Sequence, residues 1–161
     1  MNRAERRRLQ RLQKKSATPD SPARLDLLRT EAAEHMEAGR LQQAEHCYRK
    51  LLQAQPEDAD TLNLLAMLAV QRGDYKTACN RLEKAIRLDP GNAIAFNNLG
   101  LALRHTGRVD DAVEAFRSAI AIQPGLVQAH NNLGSTLKRL DRAEEAVKAY
   151  QRAAEIDPDY S

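Results

Sequence analysis

Asparagines recur through this 161-residue chain at a fixed spacing. Asn63, Asn97 and Asn131 stand at equal intervals, and Asn98 and Asn132 directly follow the last two, with Leu64 in the matching place of the first. A carboxamide offers two N–H donors and a carbonyl acceptor. Amides stacked at a regular interval therefore form a ladder that can pair with the backbone of an extended polypeptide, with little regard for its side chains. Solvating or capping a helix start is the plainer use of the same residues. Beside the ladder, Leu64, Met67 and Val70 fall at helical spacing and predict an adaptable apolar patch, with core packing as the alternative, most of all for Val70. Further along the same stretches, Arg104, His105, Lys138 and Arg139 predict a basic rim suited to a partner carrying acidic residues; charged helix ends that only solvate are the other reading.

Other reactive side chains are not arranged for chemistry. Cys47 and Cys79 lack the close pairing of a zinc site or a redox dithiol and read as buried or half-buried thiols. No two of His35, His46, His105 and His130 share helical ligand spacing, so no metal site is expected. No nucleophile, base and oxyanion donor can be assigned together, so neither an enzyme nor a cofactor is expected.

The elements that must position these residues are marked by proline. Pro56, Pro90, Pro124 and Pro158 follow one another at that same constant interval, which divides the chain into repeats 25–58, 59–92, 93–126 and 127–160. The eighth place of each repeat is small (Ala32, Ala66, Gly100, Gly134) and the twentieth is alanine (Ala44, Ala78, Ala112, Ala146). The twenty-fourth is bulky (Tyr48, Leu82, Phe116, Tyr150), a knob for the space between two closely approaching helices. Between the two halves stand Gly39, Gly73 and Gly107, suited to positive φ, and in the last repeat Asp141, which tolerates it less well. Apolar residues at helical spacing in both halves predict two helices per repeat. Asp58 and Asn92 stand where N-caps belong, and Ser21-Pro22 predicts a cap with proline at the first helical position.

This pattern resembles the tetratricopeptide repeat (TPR), whose wording W-x₂-L-G-x₂-Y, A-x₃-F and P is matched in order by Phe96, Leu99, Gly100, Ala112, Phe116 and Pro124. The tryptophan place holds Leu28, Leu62, Phe96 and His130, and the tyrosine place His35, Ala69, Leu103 and Leu137. The Asn-Asn-Leu-Gly wording at 97–100 and 131–134 is similar to the repeats of O-linked N-acetylglucosamine transferases and related bacterial proteins. The resemblance implies an all-α fold, a right-handed α-solenoid superhelix of four helix-turn-helix repeats over residues 21–161. It also implies a groove lined by the first helix of each repeat, into which places two, five, six, nine, twelve and thirteen point. The expected site is then Asn63, Leu64, Met67, Asn97, Asn98, Asn131, Asn132, Arg104 and Lys138. The expected role is a non-catalytic scaffold for a peptide or partner protein. The alternative is the targeting module of a larger glycosyltransferase or sulfotransferase. The basic clamp by which some relatives hold a terminal carboxylate is not recognisable: Arg29 fits one member, but Ala33, Leu64 and Ile94 occupy others.

Residues 1–15 carry seven Arg or Lys and one Glu, whereas the rest of the chain is mildly acidic. Residues 1–20 read as a basic arm and linker, disordered or a short helix, with a membrane surface, nucleic acid, another subunit or mere solubility as competing uses. The longest apolar run, Leu64–Val70, is far short of the roughly 18 residues of a bilayer span, and no signal peptide follows the basic start, so a cytoplasmic protein is expected. Val147, Tyr150, Ala154 and Ile156 lie where a following helix would cover them, predicting self-association through this end or a chain that continues in the natural protein. Replacing Asn98 and Asn132 is expected to leave stability nearly intact, as for surface amides.

Overall fold

The computed structural model describes residues 21–159. Eight helices follow one another: α1 (Pro22–Glu37), α2 (Leu41–Ala54), α3 (Ala59–Gln71), α4 (Tyr75–Leu88), α5 (Ala93–His105), α6 (Val109–Ile122), α7 (Val127–Arg139) and α8 (Ala143–Ile156). Among the described residues there is no strand. The expected all-α helix-turn-helix repeat is therefore what the chain forms. The expected arm, residues 1–20, lies outside the described residues.

The turn inside each repeat is built the same way four times. Gly39, Gly73, Gly107 and Asp141 take φ of 68°, 76°, 81° and 57°. Each is followed by an N–H that reaches back into the ending helix, Arg40 to the His35 carbonyl, Asp74 to Ala69, Arg108 to Leu103 and Arg142 to Leu137. That bond is the Schellman closure, which satisfies a carbonyl the helix would otherwise leave bare. Asp141 adopts the left-handed conformation although it has a Cβ, so the fold outweighs its local preference.

Between repeats, Asp58 caps α3 by accepting from the Thr61 N–H at 3.0 Å, and Asn92 caps α5 by accepting from the Ala95 N–H at 3.0 Å, as the sequence predicts. Ser21 holds the cap position before Pro22, but its hydroxyl makes no capping bond. Burial pushes the Asp58 carboxyl up; the Thr61 backbone N–H, the Thr61 hydroxyl and Arg29 outweigh it and hold the group below the ordinary carboxylate range.

Two compact units divide the described residues, with the boundary between Thr61 and Leu62. In the first, α1 packs on α2 around Leu25, Leu28, Ala32, Ala44, Tyr48 and Leu51, all buried. In the second, α5 packs on α4, α6 and α7, and α7 on α6 and α8, around one core that includes Ala66, Leu82, Ala102, Phe116, Leu133 and Leu137. The small eighth place explains how these helices come so close. A Cβ added at Gly100 would stand 2.6 Å from the Phe116 ring, and one at Gly134 would stand 2.9 Å from the Tyr150 ring. Glycine here is a steric need, since a methyl would occupy the place of the ring. Cys47 and Cys79 are buried and form no disulfide, and burial, with the nearby Glu83, pushes the Cys79 thiol up.

Candidate binding face on the first helices of repeats two to four

Within residues 62–161 the first helices present the asparagines in a staggered order. Asn98 Nδ2 donates to Asn63 Oδ1 at 3.0 Å, and Asn132 Nδ2 donates to Asn97 Oδ1 at 2.9 Å. Place six of one repeat thus grips place five of the repeat before it. Asn63, Asn97 and Asn98 are buried and Asn131 and Asn132 half-buried. This arrangement departs from the expectation of a surface ladder, because part of the amide capacity already joins successive repeats. Each bond uses one donor and one acceptor of a pair, and leaves the carbonyls of Asn98 and Asn132 unspent by it.

Beside Asn98, Met67, Val70, Gln71 and Leu101 line a small open hollow of about 150 Å³. Met67 is 37% exposed and Leu64 and Val70 are half-buried. An exposed methionine between half-buried aliphatics offers an apolar wall that can reshape around a guest side chain. The hollow therefore juxtaposes an apolar floor with an amide on its rim, the pairing that seats an apolar side chain while engaging its backbone.

One turn beyond Leu101, Arg104 is half-buried, and its Nη1 donates to Ser135 Oγ at 2.7 Å. The Ser135 hydroxyl itself donates to the Asn132 carbonyl at 3.0 Å. Burial, and after it the charge of Arg139, lowers the Arg104 guanidinium from its ordinary value. Lys138 and Arg139 are exposed in the last turn of α7. His105, the remaining member of the expected rim, stacks flat on Tyr75 with ring centroids 4.3 Å apart.

The structure thus brings Asn63, Met67 and Asn98 to one locality and Asn97, Asn132 and Arg104 to the next. Asn131 and Lys138 lie on the same helix as Asn132. Leu101, Gln71 and Ser135 were not singled out from the sequence. A signal for them existed: Met67, Leu101 and Ser135 all occupy the ninth place of their repeats, and Gln71 occupies a thirteenth. In the first unit, Arg29 is already engaged, donating to Gln55 Oε1 at 2.6 Å and pairing with Asp58 at 3.0 Å. Its charge is engaged there.

Among the described residues no group of His, Cys, Asp or Glu is placed to hold a metal ion, and no helix is long and apolar enough to cross a membrane. Helical hairpins repeated in series define a helical-repeat protein. Tetratricopeptide-repeat profiles match residues 29–79, 63–127 and 127–160, and the chain belongs to that family. Among solved structures it is similar to the crystal structure of MamA, with a TM-score of 0.81 and 24% identity over 98% of this chain and 96% of that one. It is similar also to YrrB, described as a TPR protein with an unusual peptide-binding site, with a TM-score of 0.73 and 24% identity over 84% of this chain and 70% of that one. A mutant of the Thermobaculum terrenum O-GlcNAc transferase matches with a TM-score of 0.70 and 30% identity, over 75% of this chain but 23% of the transferase. No curated protein matches the sequence. The likeness to MamA and YrrB is one of fold.

Proposed function

We propose that this chain is a non-catalytic scaffold that binds an extended segment of a partner protein across α3, α5 and α7. The observation that carries the reading is the hollow of Met67, Val70, Gln71 and Leu101 with Asn98 on its rim. Apolar surface there is available to a guest, while the amide offers a backbone partner. The description of YrrB as having a peptide-binding site supports the same kind of ligand for this fold.

The test is selection of short peptides from a displayed random library on the full chain, followed by titration of one selected peptide. Met67→Glu places a charge in the hollow at a partly exposed position, so binding should fall by about tenfold or more while the thermal midpoint stays nearly unchanged. Selected peptides that bind Met67→Glu as tightly as the original chain would move the site elsewhere. A second reading, the targeting module of a larger enzyme, draws on the match to a small part of the O-GlcNAc transferase chain. It places the same face in the same role and requires a catalytic domain in the same polypeptide.

A further inference from the structure

Several arginines of the described repeats meet a carboxylate. Arg29 pairs with Asp58, Arg49 with Glu45, Arg108 with Asp111, Arg117 with Glu114 and Glu145, Arg142 with Glu145 and Arg152 with Glu155. Arg104 is half-buried and is held by a neutral hydroxyl, Ser135, with Arg139 as a charged neighbour of the same sign. A half-buried guanidinium without a counter-charge costs solvation free energy that an incoming carboxylate would recover, and its planar fork suits a two-point hydrogen bond. Ser135 fixes one edge of that fork and so limits the directions from which a ligand is met.

We propose that Arg104, with Lys138 and Arg139 beside it, seats an acidic side chain of the bound segment. On this assignment the acid stands about two to three residues from an apolar side chain lodged in the Met67–Leu101 hollow. The spacing follows from the helices. The hollow lies between α3 and α5 and Arg104 reaches from α5 to α7, so the two seats are separated by about one interhelical distance, roughly 8–10 Å. An extended chain covers that in about two to three residues at roughly 3.3 Å each. Asn98 lines the hollow itself, where the backbone of a seated residue would pass. The inference rests on the proposed binding face and adds the chemistry of the ligand. It also differs from attraction to helix C-termini alone: cations that only complement the ends of α5 and α7 would confer no fixed spacing on a ligand.

The experiment compares the peptides selected by the full chain with those selected by Arg104→Gln and, as a second variant at an exposed position, Lys138→Glu. Peptides from the original chain should be enriched in Asp or Glu two to three positions from Leu, Met or Phe. Changing that acid to its amide should weaken binding by about tenfold or more to the original chain, but by much less to Arg104→Gln. Selection on Lys138→Glu should lose the acidic preference. Met67-dependent peptides without acidic enrichment would overturn this inference and leave the binding face standing, whereas failure to select any peptide would overturn both. If a single-stranded thymidine oligomer displaced the selected peptides at equal concentration and ordinary salt, the assignment to an acidic polypeptide would also fall.

Discussion

The asparagines carry two roles at once, and their neighbours separate the two. Asn98 and Asn132 each donate to the preceding repeat, so truncation would leave the buried carbonyl of Asn63 or the carbonyl of Asn97 without that donor. An unmet buried polar group costs about 1–3 kcal/mol. Asn98→Ala should therefore lower stability by about 1–2 kcal/mol, and Asn132→Ala by somewhat less because it is half-buried. Asn131 occupies the same place as Asn63 and Asn97, yet among the described residues its carboxamide makes no such bond, so Asn131→Ala should be nearly neutral. Denaturant midpoints of the three variants check this directly. Equal costs at all three would mean that the interlock contributes nothing specific. Asp58 gives a pH signature at the same scale. Its folded carboxyl is held below the ordinary value. The stability it contributes is therefore present above the unfolded-state pKa and is lost as pH falls through the depressed folded value. Thermal midpoints from neutral pH down to about pH 2 should fall less steeply for Asp58→Asn, which keeps a capping oxygen but cannot titrate. An identical acid slope would show that the Thr61 and Arg29 contacts do not hold in solution.

The four hairpins solve one packing problem with slightly different parts. Gly100 faces Phe116 and Gly134 faces Tyr150, while repeat two uses Ala66 with the smaller Leu82. Gly100→Ala should cost about 1–3 kcal/mol by overpacking, and Phe116→Leu in the same chain should relieve part of it, so the two changes couple in a double-mutant cycle. Simple additivity would mean the helices separate freely. Repeat one places Tyr48 with Ala32, so ring size alone does not dictate the eighth place. At the inner turn, Asp141 holds φ 57° where its three counterparts are glycine. Asp141→Gly should raise stability by up to about 1 kcal/mol, read as a higher thermal midpoint. A drop would mean that the aspartate side chain contributes more than its backbone conformation costs.

Across the whole molecule, what could be read in advance followed from period. The prolines, the small eighth place and the positive-φ turn residues recur once in every repeat because each enforces a backbone or steric condition, and such conditions leave the same mark each time. The asparagines were visible for the same reason. Their pairing was not, because the bond joins place six to place five of the preceding repeat, and only the offset between adjacent first helices brings the two together. The hollow was half legible: Met67 and Val70 stood out by helical spacing, whereas Leu101 and Gln71 needed the ninth and thirteenth places to be followed down the repeats. The engagement of Arg104 by a serine hydroxyl has no periodic signature, since the ninth place changes from methionine to leucine to serine. The most direct measurement of the central claim is chemical-shift mapping of the full chain with a selected peptide, following side-chain carboxamide and methyl resonances. Shifts should concentrate on the Met67 methyl, the Leu101 methyls and the carboxamides of Asn98 and Asn132, with little change at Ile120 or Val147 on the second helices. Shifts concentrated on α6 and α8 instead, with the asparagine amides unmoved, would contradict binding across the first helices.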